Sequence, residues 1–130
     1  DSDAANSYGR TSPDANPAKK ERLLKILDDE IQVAAAQAKL VREQHSQGRA
    51  NIESVFRADF EVMALQRERA SMMGDPAAVK DLITQQIGVL QGLEKATREQ
   101  RREGVESESE ALKVRRQILM LQRQQAEMDF

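Results

Sequence analysis

A chain of 130 residues with 3% aromatic and 32% charged residues, and no Trp, is at most one domain. A composition led by Ala, Leu, Gln, Glu and Arg points to long helices meeting along narrow seams rather than to a broad globular core. Its 20 basic and 22 acidic residues interleave to a net charge of -2, so no basic field draws phosphates and nucleic acid is excluded as a partner. The absence of cysteine removes thiolate chemistry and disulfides, and no apolar run approaches the roughly 20 residues that span a bilayer.

Residues 1–16 are polar, rich in Ser, Asn and Asp, and contain Gly9 and Pro13. They have almost nothing to bury and read as a disordered leader or tether. No signal peptide is visible. The chain starts at Asp1 rather than Met, which fits a processed or excised form and leaves open an upstream signal or anchor. Asn16-Pro17 is a helix start, a capping residue followed by proline at the first helical position. From there Leu24, Leu27, Ile31, Ala34, Ala38, Val41 and His45 alternate steps of three and four, a heptad stripe. Gly48 is the expected left-handed stop.

A second helix is predicted from about Asn51. Its apolar residues form two stripes, Val55-Ala58-Val62-Leu65-Met72 and Phe56-Phe60-Met63-Ala70-Met73, so it should touch two neighbours. Gly74 closes it, Asp75 caps the third helix and Pro76 opens it. The third helix carries Val79, Ile83, Ile87 and Leu90 and ends before Gly104. Gly88 and Gly92 lie inside it, and the expected reason is close backbone approach to a partner helix, with the Ala34–Ala38 stretch as first choice. Ser107, with Glu110 three residues on, reads as the capping box of the fourth helix. That helix shows Ala111, Val114, Ile118, Leu121, Gln125 and Met128 in steps of three and four.

The second half repeats the first. A shift of 56 residues lays Lys39, Arg42, Glu43, Gln44 and Gly48 on Lys95, Arg98, Glu99, Gln100 and Gly104, and Leu65, Gln66, Arg67 and Ala70 on Leu121, Gln122, Arg123 and Ala126. Ile31, Val33 and Met72 land on Ile87, Val89 and Met128 without a gap. A fixed-period match marks a duplicated supersecondary unit, with repeats at about 17–73 and 74–130. The predicted fold is all-α: an antiparallel, up-down-up-down four-helix bundle or coiled coil over 17–130, made of two duplicated hairpins that enclose a core between them. Helices of roughly 23 to 30 residues are about 35 to 45 Å long at 1.5 Å per residue. The other topology open to the pattern is a dimer of extended hairpins.

Little in the chain carries chemistry. His45, the only histidine, continues a heptad stripe and has no second ligand at suitable spacing on its helix; it reads as structural, with a metal site shared between two chains as the alternative. Met63, Met72, Met73, Met120 and Met128 read as core or end packing rather than soft-metal ligands. Asp28, Asp29 and Glu30 point in different directions around a helix and read as a solvated face. The 99–103 charge run and Arg115-Arg116 should form intrahelical pairs, with a docking patch as the sharper reading. There is no phosphate loop, nucleophile elbow, His-Glu zinc motif or calcium loop. The expectation is no enzyme, no cofactor, no metal and no small-molecule substrate.

The repeated turn, Val41-Arg42-Glu43-Gln44-His45-Ser46-Gln47-Gly48-Arg49-Ala50-Asn51-Ile52, returns as Arg101-Arg102-Glu103-Gly104-Val105-Glu106-Ser107-Glu108. It resembles the periplasmic hairpin of TolC-type outer-membrane efflux proteins, in which the glycine turn meets the adaptor protein of the pump. The family places amphipathic strands between its hairpins to build a barrel. Here only Met73-Gly74-Asp75-Pro76 joins them, and the usual aromatic before the tip glycine is missing, so the resemblance implies a hairpin protein without a pore. It makes Gly48, Arg49, Asn51, Ile52, Gly104, Val105 and Ser107 candidate docking tips. The function expected is a non-catalytic, periplasmic or envelope-associated helical module that docks a protein partner, an efflux or other envelope component by resemblance, or a second copy as a homodimer. The alternatives are an envelope metal- or stress-sensing, chaperone-like domain and a cytoplasmic coiled-coil scaffold.

Overall fold

A computed structural model of the chain describes residues 16–100 and 105–129. These form four helices: α1 (Pro17–Ser46), α2 (Ile52–Met72), α3 (Pro76–Gln100) and α4 (Val105–Glu127). No strand occurs among the described residues. The fold is all-α, a four-helix bundle. Apart from Asn16, the leader expected at 1–16 lies outside the described residues, as does Gly104.

The local signals act where the sequence places them. Asn16 accepts the Lys19 amide at 3.1 Å, with Pro17 in the first turn. Asn51 accepts the Ser54 amide at 2.9 Å, and Asp75 accepts the Ala78 amide at 3.1 Å. Each satisfies one of the donors that a helix start leaves unpaired. Gly48 and Gly74 both have positive φ, 76° and 68°. At each, two backbone bonds close the helix end: Gly48 to His45 and Arg49 to Gln44, then Gly74 to Ser71 and Asp75 to Ala70. This is the Schellman arrangement, which only a residue free of a Cβ penalty enters at low cost. The fourth helix departs from expectation. Its helical backbone starts at Val105, so Ser107 lies inside the first turn and is not the cap. The Ser-x-x-Glu spacing fits residues within a first turn as well as a cap, and helix ends move by a residue or two on such grounds.

Consecutive helices run in opposite directions. Asp28 in the first half of α1 accepts from Arg69 near the end of α2, while Arg42 near the end of α1 donates to Asp59 in the first half of α2. Glu53 and Thr97, then Arg67 and Gln86, tie α2 to α3 in the same sense. Glu94 with Arg115, and Thr84 with Gln125, tie α3 to α4. Two of these pairs are one position repeated: Asp28–Arg69 and Thr84–Gln125 are related by the same shift of 56 residues at both ends. The duplication therefore preserves the register of a hairpin as well as its residue types.

The two hairpins are not equal in what they bury. The core is Ile83, Ile87, Leu90 and Leu93 of α3 with Val114, Ile118 and Leu121 of α4, and Phe56 and Phe60 of α2 pack onto it. In α1 only Leu27, Ala34 and Ala38 are buried. The enclosure expected from two equivalent hairpins does not form. Backbone packing is confined to chain neighbours, Arg57 of α2 reaches across to Glu110 of α4 at 3.0 Å, and no described residue of α1 approaches α3 or α4. The reason lies in side-chain size. Ala34 stands where the second repeat has Leu90, and Ala38 where it has Glu94. Burying a Leu or Ile contributes about 1.5–3 kcal/mol and an Ala far less, so α1 holds α2 alone and the bundle stays open between α1 and α4.

Candidate docking surfaces

The glycine-turn end is closed by a set of local hydrogen bonds. Beyond the two closing backbone bonds, the His45 ring lies 2.8 Å from the Ala50 carbonyl oxygen through Nδ1. A carbonyl can only accept, so Nδ1 carries the proton and donates it, stapling the end of α1 across the turn. Asn51 spends its side-chain oxygen on the Ser54 amide and on the Ser54 hydroxyl, at 2.9 and 2.8 Å. Ile52 is half-buried, whereas Gly48 and Arg49 are exposed. Of the first tip, Gly48 and Asn51 therefore shape the turn, and Arg49 is the side chain it presents. In the second tip Val105 opens α4 and Ser107 follows within its first turn. The two ends come together: Thr97 donates to Glu53 at 2.8 Å, and Arg57 donates to Glu110 at 3.0 Å.

Buried polar side chains fix how the helices meet. Gln86 is 1% exposed and accepts from Arg67 at 2.7 Å. Glu94, 7% exposed, receives both arms of Arg115 at 2.9 and 3.0 Å, the fork geometry that suits a carboxylate. Arg98 adds a second contact to Glu94 at 3.6 Å from one turn away. Among the described residues no buried side-chain nitrogen or oxygen lacks a partner. These groups are consumed by structure. Arg115 pairs across the α3–α4 seam rather than along its own helix as expected, because Glu94 faces α4 where the first repeat has Ala38. Asp28 pairs with Arg69 of α2 while its side chain stays 45% exposed, and Asp29 and Glu30 are exposed, as a solvated face requires.

The paired glycines part company. A Cβ on Gly92 would stand 2.7 Å from Cε1 of Phe56, whereas one on Gly88 would meet open space. The close approach is made by an α2 ring, not by the Ala34–Ala38 stretch. The methionines divide too. Met128 packs on the core and, with Met72, lines an open cleft of about 590 Å³ between α2, α3 and α4. Met73 and Met120, expected in the packing, are exposed. Met73 is the helix-end cap residue beside Gly74, beyond the last residue of α2. Met120 lies beside Leu119 on the face of α4 that is turned away from the core. Among the described residues no three His, Asp or Glu side chains converge as metal ligands would, and no helix is long and apolar enough to cross a membrane.

The largest unspent chemistry is apolar and lies at the two edges. On α1, Leu23, Ile26, Val33 and Leu40 are exposed, Val33 by 60%. On α4, Leu112 and Leu119 are each 54% exposed, with Met120 beside them. Ile26, Val33 and Leu40 are seven residues apart in turn, as are Leu112 and Leu119. That is the seam spacing of one helix laid along another. Sequence reasoning followed the first stripe of α1 and missed this one. The signal was present, since α1 carries two interleaved apolar stripes and its one packed neighbour covers only one.

No protein family, curated protein or solved structure matches this chain.

Proposed function

We propose that this chain is a non-catalytic helical module of the bacterial cell envelope that docks proteins through its outer helix faces and its glycine-turn end. One observation carries the docking reading: both edge helices leave heptad-spaced Leu, Ile and Val residues exposed. Scattered surface apolar residues need no explanation, but a row at helix-packing spacing is a seam without its partner. The hydrogen-bonded turn around Gly48, with Arg49 presented at its tip, supports a second contact point. The envelope placement rests on the likeness of the repeated turn to TolC-type hairpins.

A photo-crosslinking residue at Val33, Leu119 or Arg49, introduced singly in living cells, tests the reading. Discrete adducts with a polypeptide are expected at one or more of these positions and not at Gln117, which is exposed off the stripes. Absence of adducts at all three overturns it. Fractionation of the same cells reads the envelope placement separately.

A further inference from the structure

We infer that the partner of the two exposed faces is a second copy of this chain, with α4 of one copy lying along the α1–α2 edge of the next. The inference rests on the docking reading above and names its occupant. The two faces are complementary in charge. The open groove between α1 and α2 combines Ile26, Val33 and Leu65 with the acids Asp29, Glu30 and Glu61, and no basic residue lines it. The outer face of α4 sets Lys113 and Arg116 beside Leu112, with Glu108 at its end already engaged by Arg98 at 3.4 Å, and Arg123 follows Arg116 one heptad on. An acidic apolar groove and a basic apolar ridge on one molecule are unlike surfaces that suit each other, whereas either would repel its own copy.

Direction agrees as well. Within the chain every seam joins helices of opposite direction, and α1 and α4 are themselves opposed. A copy set edge to edge continues that alternation without a new packing mode. The contact is heterologous, so it closes into a ring if the rotation allows and otherwise extends. The open side between α1 and α4, unfilled within one chain, is then completed between chains.

Sedimentation across a micromolar-to-millimolar range tests this with two variants, Val33→Asp in the groove edge and Leu119→Asp in the ridge. Both positions are exposed, so each variant should keep the wild-type helical signal. The wild type should sediment as two or more chains, and more weakly so at high salt. Each variant alone should sediment as a single chain. An equimolar mixture should give a one-to-one complex, because one variant retains a sound ridge and the other a sound groove. Should either variant lose helicity, Glu30→Lys and Arg116→Glu make the same comparison. A wild type that stays a single chain overturns the inference, as does self-association that survives in either variant or a mixture that does not pair. Adducts to a different polypeptide at Val33 would in that event still uphold the docking reading.

Discussion

Arg115 and Arg42 both bind a carboxylate on the neighbouring helix, and burial separates their worth. Glu94 is buried, and the loss of Arg115 leaves it with only the longer Arg98 contact at 3.6 Å. Asp59 keeps access to water, and Arg42 is 55% exposed. Arg115→Ala should cost about 1–3 kcal/mol, the range for stranding a buried polar group. Arg42→Ala should cost less than about 1 kcal/mol, as exposed pairs do. Urea midpoints of the two variants check this, and equal losses would show that Glu94 finds water when its partner leaves. The glycines allow a cleaner comparison. Gly88→Ala should gain about 0.5–1 kcal/mol, since its Cβ meets open space and glycine inside a helix is costly. Gly92→Ala receives the same propensity gain but drives Phe56 off the core, so it should be less stable than Gly88→Ala by about 1–3 kcal/mol. The difference between the two midpoints isolates the Phe56 contact, and identical stabilisation of both would mean that the ring has room to move.

Among the helices, α1 is the one held by least. It rests on α2 through Leu27, Ala34 and Ala38, whereas α3 and α4 share seven buried large side chains. Ile118 is fully buried and Ile31 only half-buried, although both read as seam residues in the sequence. Ile118→Asp should therefore abolish the cooperative melt, since an unpaired buried charge costs several kcal/mol. Ile31→Asp should release α1 alone. Hydrogen exchange of that variant should show fast amides throughout α1 and protected amides in α3 and α4; uniform loss of protection would mean that α1 is integral to the core. The sequence announced each helix, and the ends around the first two turns, through short-range chemistry, while the start of α4 fell at Val105 rather than after Ser107. Asn16, Asn51, Asp75, Gly48 and Gly74 act within a turn of their own positions, and so could be read in place. The unequal burial was hidden because the 56-residue match records residue type and register, and passes over the size change from Ala34 to Leu90. Partners across space were hidden for a similar reason: Gly92 packs a ring from another helix, and Glu94 faces an arginine twenty-one residues on.

For the molecule as a whole, the heptad pattern predicts four helices and the register of each hairpin, but a pattern of seams does not say which seams close within one chain. The second stripe of α1 and the stripe of α4 are as regular as those that pack. Their exposure follows from the small side chains of the first repeat, which let α1 dock on α2 without curling round to α4. The separation of α1 and α4 can be measured directly, because a chain without cysteine accepts two labels at chosen sites. Spin labels at Val33→Cys and Leu119→Cys, diluted into excess unlabelled protein so that only distances within one chain register, distinguish the arrangements. In a closed bundle neighbouring axes lie about 8–10 Å apart, and the labels would report a short, narrow distance. In the open arrangement at least one helix intervenes between α1 and α4, and the axes should stand about 16–20 Å apart or more, as two such spacings in succession require. A distance at the short end would mean that the edge faces meet each other within one chain. Neither the groove beside Val33 nor the ridge at Leu119 would then be open to a second copy. A distance at the long end leaves both edges free in each molecule, the condition that joining copies through them requires.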